Sequence, residues 1–301
     1  MVAHTESRPV RNKPRSDLRL ALVFIFPATV GLLTFYFWPL LRGLWLSMTS
    51  WDLLSPAEFI GLENFTRMFA DPVFWNAVRV TIYYVILNIG FQTVLALLIA
   101  VLMQRLTQST LLRSLVLTPF LVSNVVAALV FLWILDFQLG IGNRILTAIG
   151  FDPVAFFNSE TWVIPTIAAV NIWRHMGYTA LLIFAGLQTI PQNLYEAARV
   201  DGAGEVRSFF SITMPLLRPI LGLVLIITVI GSFQVFDTVS VTTSGGPVDA
   251  SRVLQYYIYD MAFGQFDFGY ASALSVALLV ILMVVTFLQY RVTRAGQSDL
   301  N

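Results

Sequence analysis

The amino-acid sequence predicts an all-α membrane protein that crosses the bilayer six times, and three observations carry that prediction. Of its 301 residues 57% are hydrophobic and only 12% are charged, against about 45–50% and about 25% in soluble domains. Apolar runs long enough for about 30 Å of hydrocarbon occupy 19–48, 77–103, 113–136, 162–186, 217–237 and 270–290. Basic residues collect on alternate connections between those runs, as the positive-inside rule requires.

The first run follows a polar segment, 1–18, that carries Arg8, Arg11, Lys13 and Arg15. Pro27 and Pro39 interrupt it, so a tilt or kink is expected there. The run is too long for a signal-peptide core and ends without a small-x-small site, which reads as a retained span. The second, third and sixth runs are plain spans. The fourth, around NIWRHMGY (171–178), and the second half of the fifth mix polar groups into the apolar pattern. With the N-terminus inside, Arg19, Arg105, Arg113, Arg199, Arg207, Arg218, Arg291 and Arg294 join the four basic residues above on the cytoplasmic side. That is twelve of the 18 basic residues, and it places both termini in the cytoplasm. SWDLLSPAEFIGLENFTRMFADPVFW, FQLGIGNRILTAIGFDPVAFFNSE and TTSGGPVDAS then face outward as interfacial or turn-rich loops. One membrane domain, 19–290, lies between the basic N-terminus and a cytoplasmic tail, 291–301.

Composition excludes several chemistries. There is no Cys, hence no thiolate metal site and no thiol nucleophile. Lys13 is the only Lys, which removes a Walker A loop and Schiff-base catalysis. Neither His4 nor His175 stands in a metal-ligand pattern. Any ATP hydrolysis that drives this protein belongs to another chain.

The segment NLYEAARVDGAGEVRSFFSITMP, 193–215, falls on the connection between the fourth and fifth runs. Asn193 with Glu196 three residues later forms a capping-box-like start. LYEAARV reads as a short helix whose Ala197 and Ala198 keep its surface low. Asp201, Gly202, Ala203 and Gly204 bend the chain. EVRSFFSI resumes as a helix, with Val206, Phe209 and Phe210 packing on the bundle, until Pro215 stops it. A merely solvated loop would also be charged, but it would not need this order of helix, glycine break, helix and proline.

This segment resembles the EAA motif of ABC importer permeases: EAA, three residues, Gly, nine residues, Ile, one residue, Leu-Pro. Here stand Glu196-Ala197-Ala198, Gly202, Ile212 and Met214-Pro215, with Met for Leu the single departure. The chain outside it is similar to sugar permeases of the MalF/LacF/UgpA type, through GLENFTRMFADPVFW, LTPFLVSNVVAALVFLWIL, LQTIPQNLYEAARVDGA, TTSGGP and FGYASALSVAL. The extra N-terminal spans and large insertion of the maltose-type subunit are missing, so the plain six-span form is implied. The resemblance implies a non-enzymatic permease subunit of a binding-protein-dependent importer in the plasma (inner) membrane. Its partners would be a second homologous permease, two copies of a cytoplasmic ABC ATPase that bind the ATP and Mg, and an extracytoplasmic solute-binding protein. Glu196, Ala197, Ala198, Asp201 and Gly202 would form the ATPase-coupling helix. No cofactor, metal or nucleic acid is implied for this chain.

Polar groups inside spans are candidates for a substrate site: Asn88, Gln92, Asn124, Asn171, Arg174, His175, Ser232 and Gln234. Against that, Asn and Ser also join helices to one another. In maltose-type members the fourth-span stretch and the stretch before the Gly-Gly-Pro loop line the sugar site. That carry-over points to Asn171, Trp173, His175, Tyr178, Thr228 and Ser232. Asn171, Trp173 and Tyr178 match in type; His175 stands for Gly and Ser232 for Asn. Arg174 has three open roles: neutralising an anionic substrate, pairing with a helix carboxyl end, or meeting a partner subunit. The expected cargo is a sugar, oligosaccharide or related polyol ester. An ion-coupled secondary transporter would want a mid-membrane Asp or Glu, whereas Asp136 and Asp237 fall at span ends. An intramembrane enzyme would lack a catalytic set, and an ABC permease for amino acids or inorganic anions would share only the motif.

Overall fold

A hydrocarbon slab leaves backbone polar groups no partner but the chain itself, and the computed structural model answers with helices almost throughout. It describes residues 16–106 and 109–293. Arg8, Arg11, Lys13, Arg15, Arg294 and His4 lie outside the described residues, as do most of 1–18 and of 291–301.

The first run is one long helix. α1 (Ser16–Leu32), a π-helical turn at Leu33–Phe37 and α2 (Trp38–Leu46) follow without interruption. Pro39 stands in the first turn of α2, where a missing N–H costs little because the wide turn before it is closed from Trp38 N–H to Leu33 O. None of the apolar stretch Leu20–Leu46 is buried inside the chain. A short hairpin, β1 (Thr49–Ser50) with β2 (Glu58–Phe59) in the register Thr49↔Phe59, leads to α3 (Glu63–Ala70) and the 35-residue α4 (Pro72–Leu106).

The third run departs from expectation. Instead of one span over 113–136 it forms α5 (Thr110–Leu121) and α6 (Asn124–Ile134), bent by 89°. Pro119, inside the last turn of α5, cannot donate to the helix, and Val122 and Ser123 turn extended. After α7 (Ile141–Ala148) comes α8 (Val163–Leu187), the most buried long helix. Arg174 of α8 occupies the break: Nε donates to Val122 O at 2.7 Å and Nη2 to Phe120 O at 3.3 Å. Of the three roles left open, pairing with a helix carboxyl end is the one these bonds fill. Opposite the same helix, Gly177 lets α5 approach, since a Cβ there would lie 1.9 Å from Val116 O.

α9 (Gln192–Val200) and α10 (Glu205–Ser208) follow, then a π-helical turn at Phe209–Thr213 and α11 (Met214–Phe233). Pro215 does not stop the helix. The π turn, closed from Met214 N–H to Phe209 O, absorbs it in the first turn of α11, and the helix runs on from Glu205 to Phe233. α12 (Asp237–Thr242), α13 (Leu254–Tyr259), a third π turn at Asp260–Gly264 and α14 (Phe268–Thr293) complete the chain.

Two apolar clusters hold the bundle. One gathers Phe74, Tyr84, Ile167, Leu254, Tyr270 and Leu274 with their neighbours; the other joins Ala96 and Ala100 of α4, Ile183 and Leu187 of α8, and Leu217 and Val224 of α11. The connection at the end of α3 is tied to the later helices by polar groups. The Asp71 carboxylate accepts from the Tyr257 and Tyr270 hydroxyls, and Arg67 pairs with Asp267 at 2.6 Å. Burial raises the Asp71 carboxyl, yet these hydroxyl bonds prevail and hold it below the usual carboxylate range.

Among the described residues four helices are long and apolar enough to cross a membrane, Leu20–Leu46, Pro72–Arg105, Glu205–Thr242 and Phe268–Val292, and the bent pair makes a fifth if it counts as one span. α8, the fourth expected span, is not one of them. It has the length, but Asn171, Arg174 and His175 interrupt its middle.

Two outcomes follow for the purified chain. Gly177→Ala overpacks the contact with Val116 and lowers the thermal midpoint, by the equivalent of about 1–3 kcal/mol; an unchanged midpoint contradicts the close approach. Arg174→Met removes the partner of the broken carbonyls. Spin labels at Leu115 and Val130, either side of the bend, then report a shifted or broadened distance, whereas an unchanged distribution denies Arg174 that role.

Candidate functional site

Helical spacing collects the intraspan polar groups on common faces. Tyr84, Asn88 and Gln92 recur every four residues on α4, and Asn171, His175, Tyr178, Thr179 and Leu182 share one side of α8. Thr228, Gly231 and Ser232 do the same near the end of α11. These faces, with Phe120 and Asn124 at the break and Asp237 and Thr238 of α12, enclose a cavity of about 430 Å³, within the size of small-molecule sites.

A hydrogen-bond network fixes the walls. Asn88 Nδ2 donates to Ser232 Oγ at 2.9 Å and to Gln92 Oε1 at 3.1 Å, and Gln92 Nε2 donates to Thr179 Oγ1 at 2.8 Å. α4, α8 and α11 are therefore joined through side chains alone. Thr238 Oγ1 donates to Asn171 Oδ1 at 3.1 Å, and Asn124 Nδ2 to Asp237 Oδ2 at 2.7 Å, which fastens α12 to α8 and α6. His175 has both ring nitrogens engaged. Nδ1 lies 2.8 Å from Asn171 O, which can only accept, and Nε2 lies 2.7 Å from Arg174 Nη1, which can only donate. The ring is thus neutral, with its proton on Nδ1. Phe120 stacks on Tyr178 with centroids 4.5 Å apart and planes 11° apart, giving the cavity a flat aromatic wall.

The cavity includes Asn124, Asn171, His175, Tyr178, Thr228 and Ser232, with Asn88, Gln92 and Gln234 from the wider set of polar candidates. Trp173 is not there. Two residues past Asn171 it points to another side of α8, meets Phe131 in a T-shaped contact at 5.1 Å and lines an apolar groove with Leu87, Phe91 and Met176. The sequence reading missed Tyr84, Thr179, Thr238 and Phe120, and left Asp237 at a span end. Thr179 and Thr238 carry hydroxyls that any helix tolerates, and Phe120 is indistinguishable by type from a lipid-facing ring. Among the described residues no group of three or more Cys, His, Asp or Glu could hold a metal ion.

At the far end of α11 the charged segment forms a second candidate site. α9 starts after Pro191, with no side-chain cap, so the Asn193–Glu196 capping box is not made: Asn193 already lies inside the helix. Glu196 and Ala197 are exposed and Ala198 is half-buried. The turn that ends α9 needs the left-handed backbone that Gly202 takes, at φ +74°, and Ala203 N closes it on Ala198 O at 2.8 Å. Tyr195 and Thr213 share a hydroxyl bond of 2.8 Å, and Arg105 of α4 pairs with Glu205. Phe209 is half-buried, but Val206 and Phe210 are 73% and 65% exposed rather than packed on the bundle, because they project from the outer side of the helix.

Comparison with known proteins places this arrangement. Residues 92–295 match the family described as the binding-protein-dependent transport system inner membrane component. The sulfoquinovosyl glycerol transport system permease protein SmoG of Agrobacterium fabrum is 37% identical over 281 residues, covering 92% of this chain and 91% of that protein. The trehalose/maltose transport system permease protein MalF of Thermococcus litoralis is 31% identical, over 92% and 95%. In fold the chain is similar, with a TM-score of 0.83 over 94% of its length and 97% of the other, to a chain of a bacterial alginate ABC transporter in complex with an alginate pentasaccharide-bound periplasmic protein, at 22% identity. A helical bundle with a polar cavity at one end of α11 and an exposed EAA segment at the other is, on these matches, a member of the binding-protein-dependent transport system inner membrane components.

Proposed function

We propose that this chain is the transmembrane permease subunit of an ATP-driven, binding-protein-dependent importer for a sugar, oligosaccharide or related polyol ester. It crosses the plasma (inner) membrane six times with both termini in the cytoplasm, α8 supplying the polar central span. The chain performs no chemistry; ATP and Mg are bound by a separate ABC ATPase present in two copies. A second homologous permease completes the pathway, and an extracytoplasmic solute-binding protein delivers the cargo. The sugar named for two of its relatives and the periplasmic partner named for its structural neighbour support this assignment.

One observation carries the mechanism. The helix from Glu205 to Phe233 is continuous, about 40 Å long at 1.5 Å per residue. Thr228 and Ser232 stand in the cavity at one end, and the other end is held to α9 through the Tyr195–Thr213 bond. Glu196, Ala197, Ala198, Asp201 and Gly202 dock on the ATPase. Closure of the ATPase pair on ATP displaces α9, the rod transmits that displacement, and the walls at Asn88, Asn124, Asn171, His175, Tyr178, Thr228 and Ser232 change the side on which the cavity opens. The bare apolar surface of α1 is then covered by lipid and the second permease, since none of its described residues is buried in its own chain and an exposed apolar helix needs another apolar neighbour.

Two results are expected in the assembled complex. Glu196→Lys reverses charge on the docking face and lowers uptake at least about tenfold while the chain remains inserted; uptake at the wild-type rate contradicts the coupling role. Tyr178→Ala removes half of the stacked wall, a contact of about 0.5–1.5 kcal/mol, and lowers uptake more than Trp173→Ala does. The reverse order would return Trp173 to the site.

A further inference from the structure

We propose that a row of aromatic side chains carries the cargo from an outer pocket to the cavity, each ring packing against the C–H face of a sugar ring. The proposal rests on the importer reading and its orientation given above, and adds to them a route that lies outside the cavity. The row is Trp51, Phe268, Phe263, Tyr259 and Phe236, with successive centroids 5.7, 5.6, 5.2 and 4.9 Å apart. Tyr256 backs its inner end, 6.3 Å from Phe236 and 6.4 Å from Tyr259. Phe236 lines the cavity. Trp51, at the other end, lines a pocket of about 790 Å³ together with Asp52, Glu63, Gln265 and Asp267.

The backbone holds the row in place. Tyr259 closes α13, and Phe263 lies in the π turn that follows. The chain then turns left-handed at Phe266, φ +57°, a conformation that bulky residues rarely adopt. Phe268 N and Gly269 N donate to Trp51 O at 2.9 and 3.2 Å, which fixes the outer end. Both ends are half-buried, whereas Tyr259 and Phe263 in the middle are 44% and 59% exposed. Adjoining exposed rings mark a surface that something covers. Hydrocarbon does not suit it, because Asp260, the residue after Tyr259, pairs with Arg252 at 2.7 Å, and charges are costly beside lipid. A sugar does: its hydroxyls meet the amide and carboxylates of the outer pocket, and its C–H face meets the rings. None of the four contacts along the row is face to face, so ring faces stay available. Each step is about one sugar unit long, so the cargo reaches the next ring before it leaves the last. Weak, repeated contacts let it arrive and also depart.

The test uses the complex as it exists, co-purified with its ATPase, second permease and binding protein and reconstituted in liposomes. Phe263→Cys, in a chain that has no Cys, is treated from the outer side with a membrane-impermeant maleimide, and the label is read on this chain by mass. Labelling is expected; its absence means that lipid or the second permease covers the row, and overturns the proposal. Uptake is measured with maltose, trehalose and sulfoquinovosyl glycerol as probes. Tyr259→Leu with Phe263→Leu keeps the apolar bulk, removes both rings and lowers initial uptake of a transported probe about tenfold; Phe263→Leu alone lowers it about threefold. Tyr259→Phe with Phe263→Tyr keeps the rings and keeps uptake. Phe69→Leu, which removes a ring 62% exposed outside the row, leaves uptake unchanged. Uptake that survives the leucine variants, is lost with the exchanged rings, falls equally with Phe69→Leu, or occurs for none of the probes overturns the proposal. A complex whose ATP hydrolysis ignores the binding protein contradicts the importer reading itself, a failure distinct from these.

Discussion

A helix broken in an apolar run strands carbonyl groups without their helical partners, and the structure depends on how that one break is satisfied. Pro119 ends α5, and Arg174 brings a guanidinium to Val122 O and Phe120 O. A charge in such a place is tolerated only when its donors are used. With the bend fixed, α6 turns away by 89°, and space opens between it, α4, α8 and α11. The cavity exists because the third run is not straight.

The same site shows why α8 is both the most buried long helix and the least apolar of the expected spans. Its polar residues are not lipid-facing. Asn171 and Thr179 bond to α12 and α4 respectively, so their desolvation is offset by bonds within the chain. Gly177 brings α5 to van der Waals distance on a neighbouring face. Close packing and side-chain hydrogen bonds, rather than burial of apolar area, hold helices together where the solvent is itself apolar. α11 runs from the cavity, at Thr228 and Ser232, towards the exposed charged segment, and α4, with Asn88 in the cavity and Arg105 against Glu205, reaches the same two places.

Much of this was legible in the residues. The polar positions of α8 recur with helical spacing, and the cavity walls at Asn171, His175 and Tyr178 follow from that. The charged segment, its short helix and its bend at Gly202 were equally plain. What escaped was whatever depends on distant chain. Arg174 meets carbonyls 52 and 54 residues away, and no local pattern announces them. Trp173 shares a span with the site but points to a different side of the helix. The third run reads as one span because Pro119 alone does not say whether a helix kinks or breaks. Pro215 reads as a stop because a π turn, which makes room for it, leaves no mark in composition. Asn193 with Glu196 fits a capping box in type, yet the helix begins after Pro191, two residues too early for Asn193 to cap it.

The central claim is that a single cavity, walled by α4, α8 and α11, changes the side on which it opens when ATP binds elsewhere. The chain has no Cys, so a thiol placed at Leu182, which lines the cavity outside its polar network, reports from one position. A membrane-impermeant maleimide is applied from each side of the reconstituted complex, without nucleotide and with ATP trapped by vanadate. Labelling that moves from the cytoplasmic to the outer side on trapping is the predicted result. Labelling from one side regardless of nucleotide would contradict the coupling of this cavity to the ATPase.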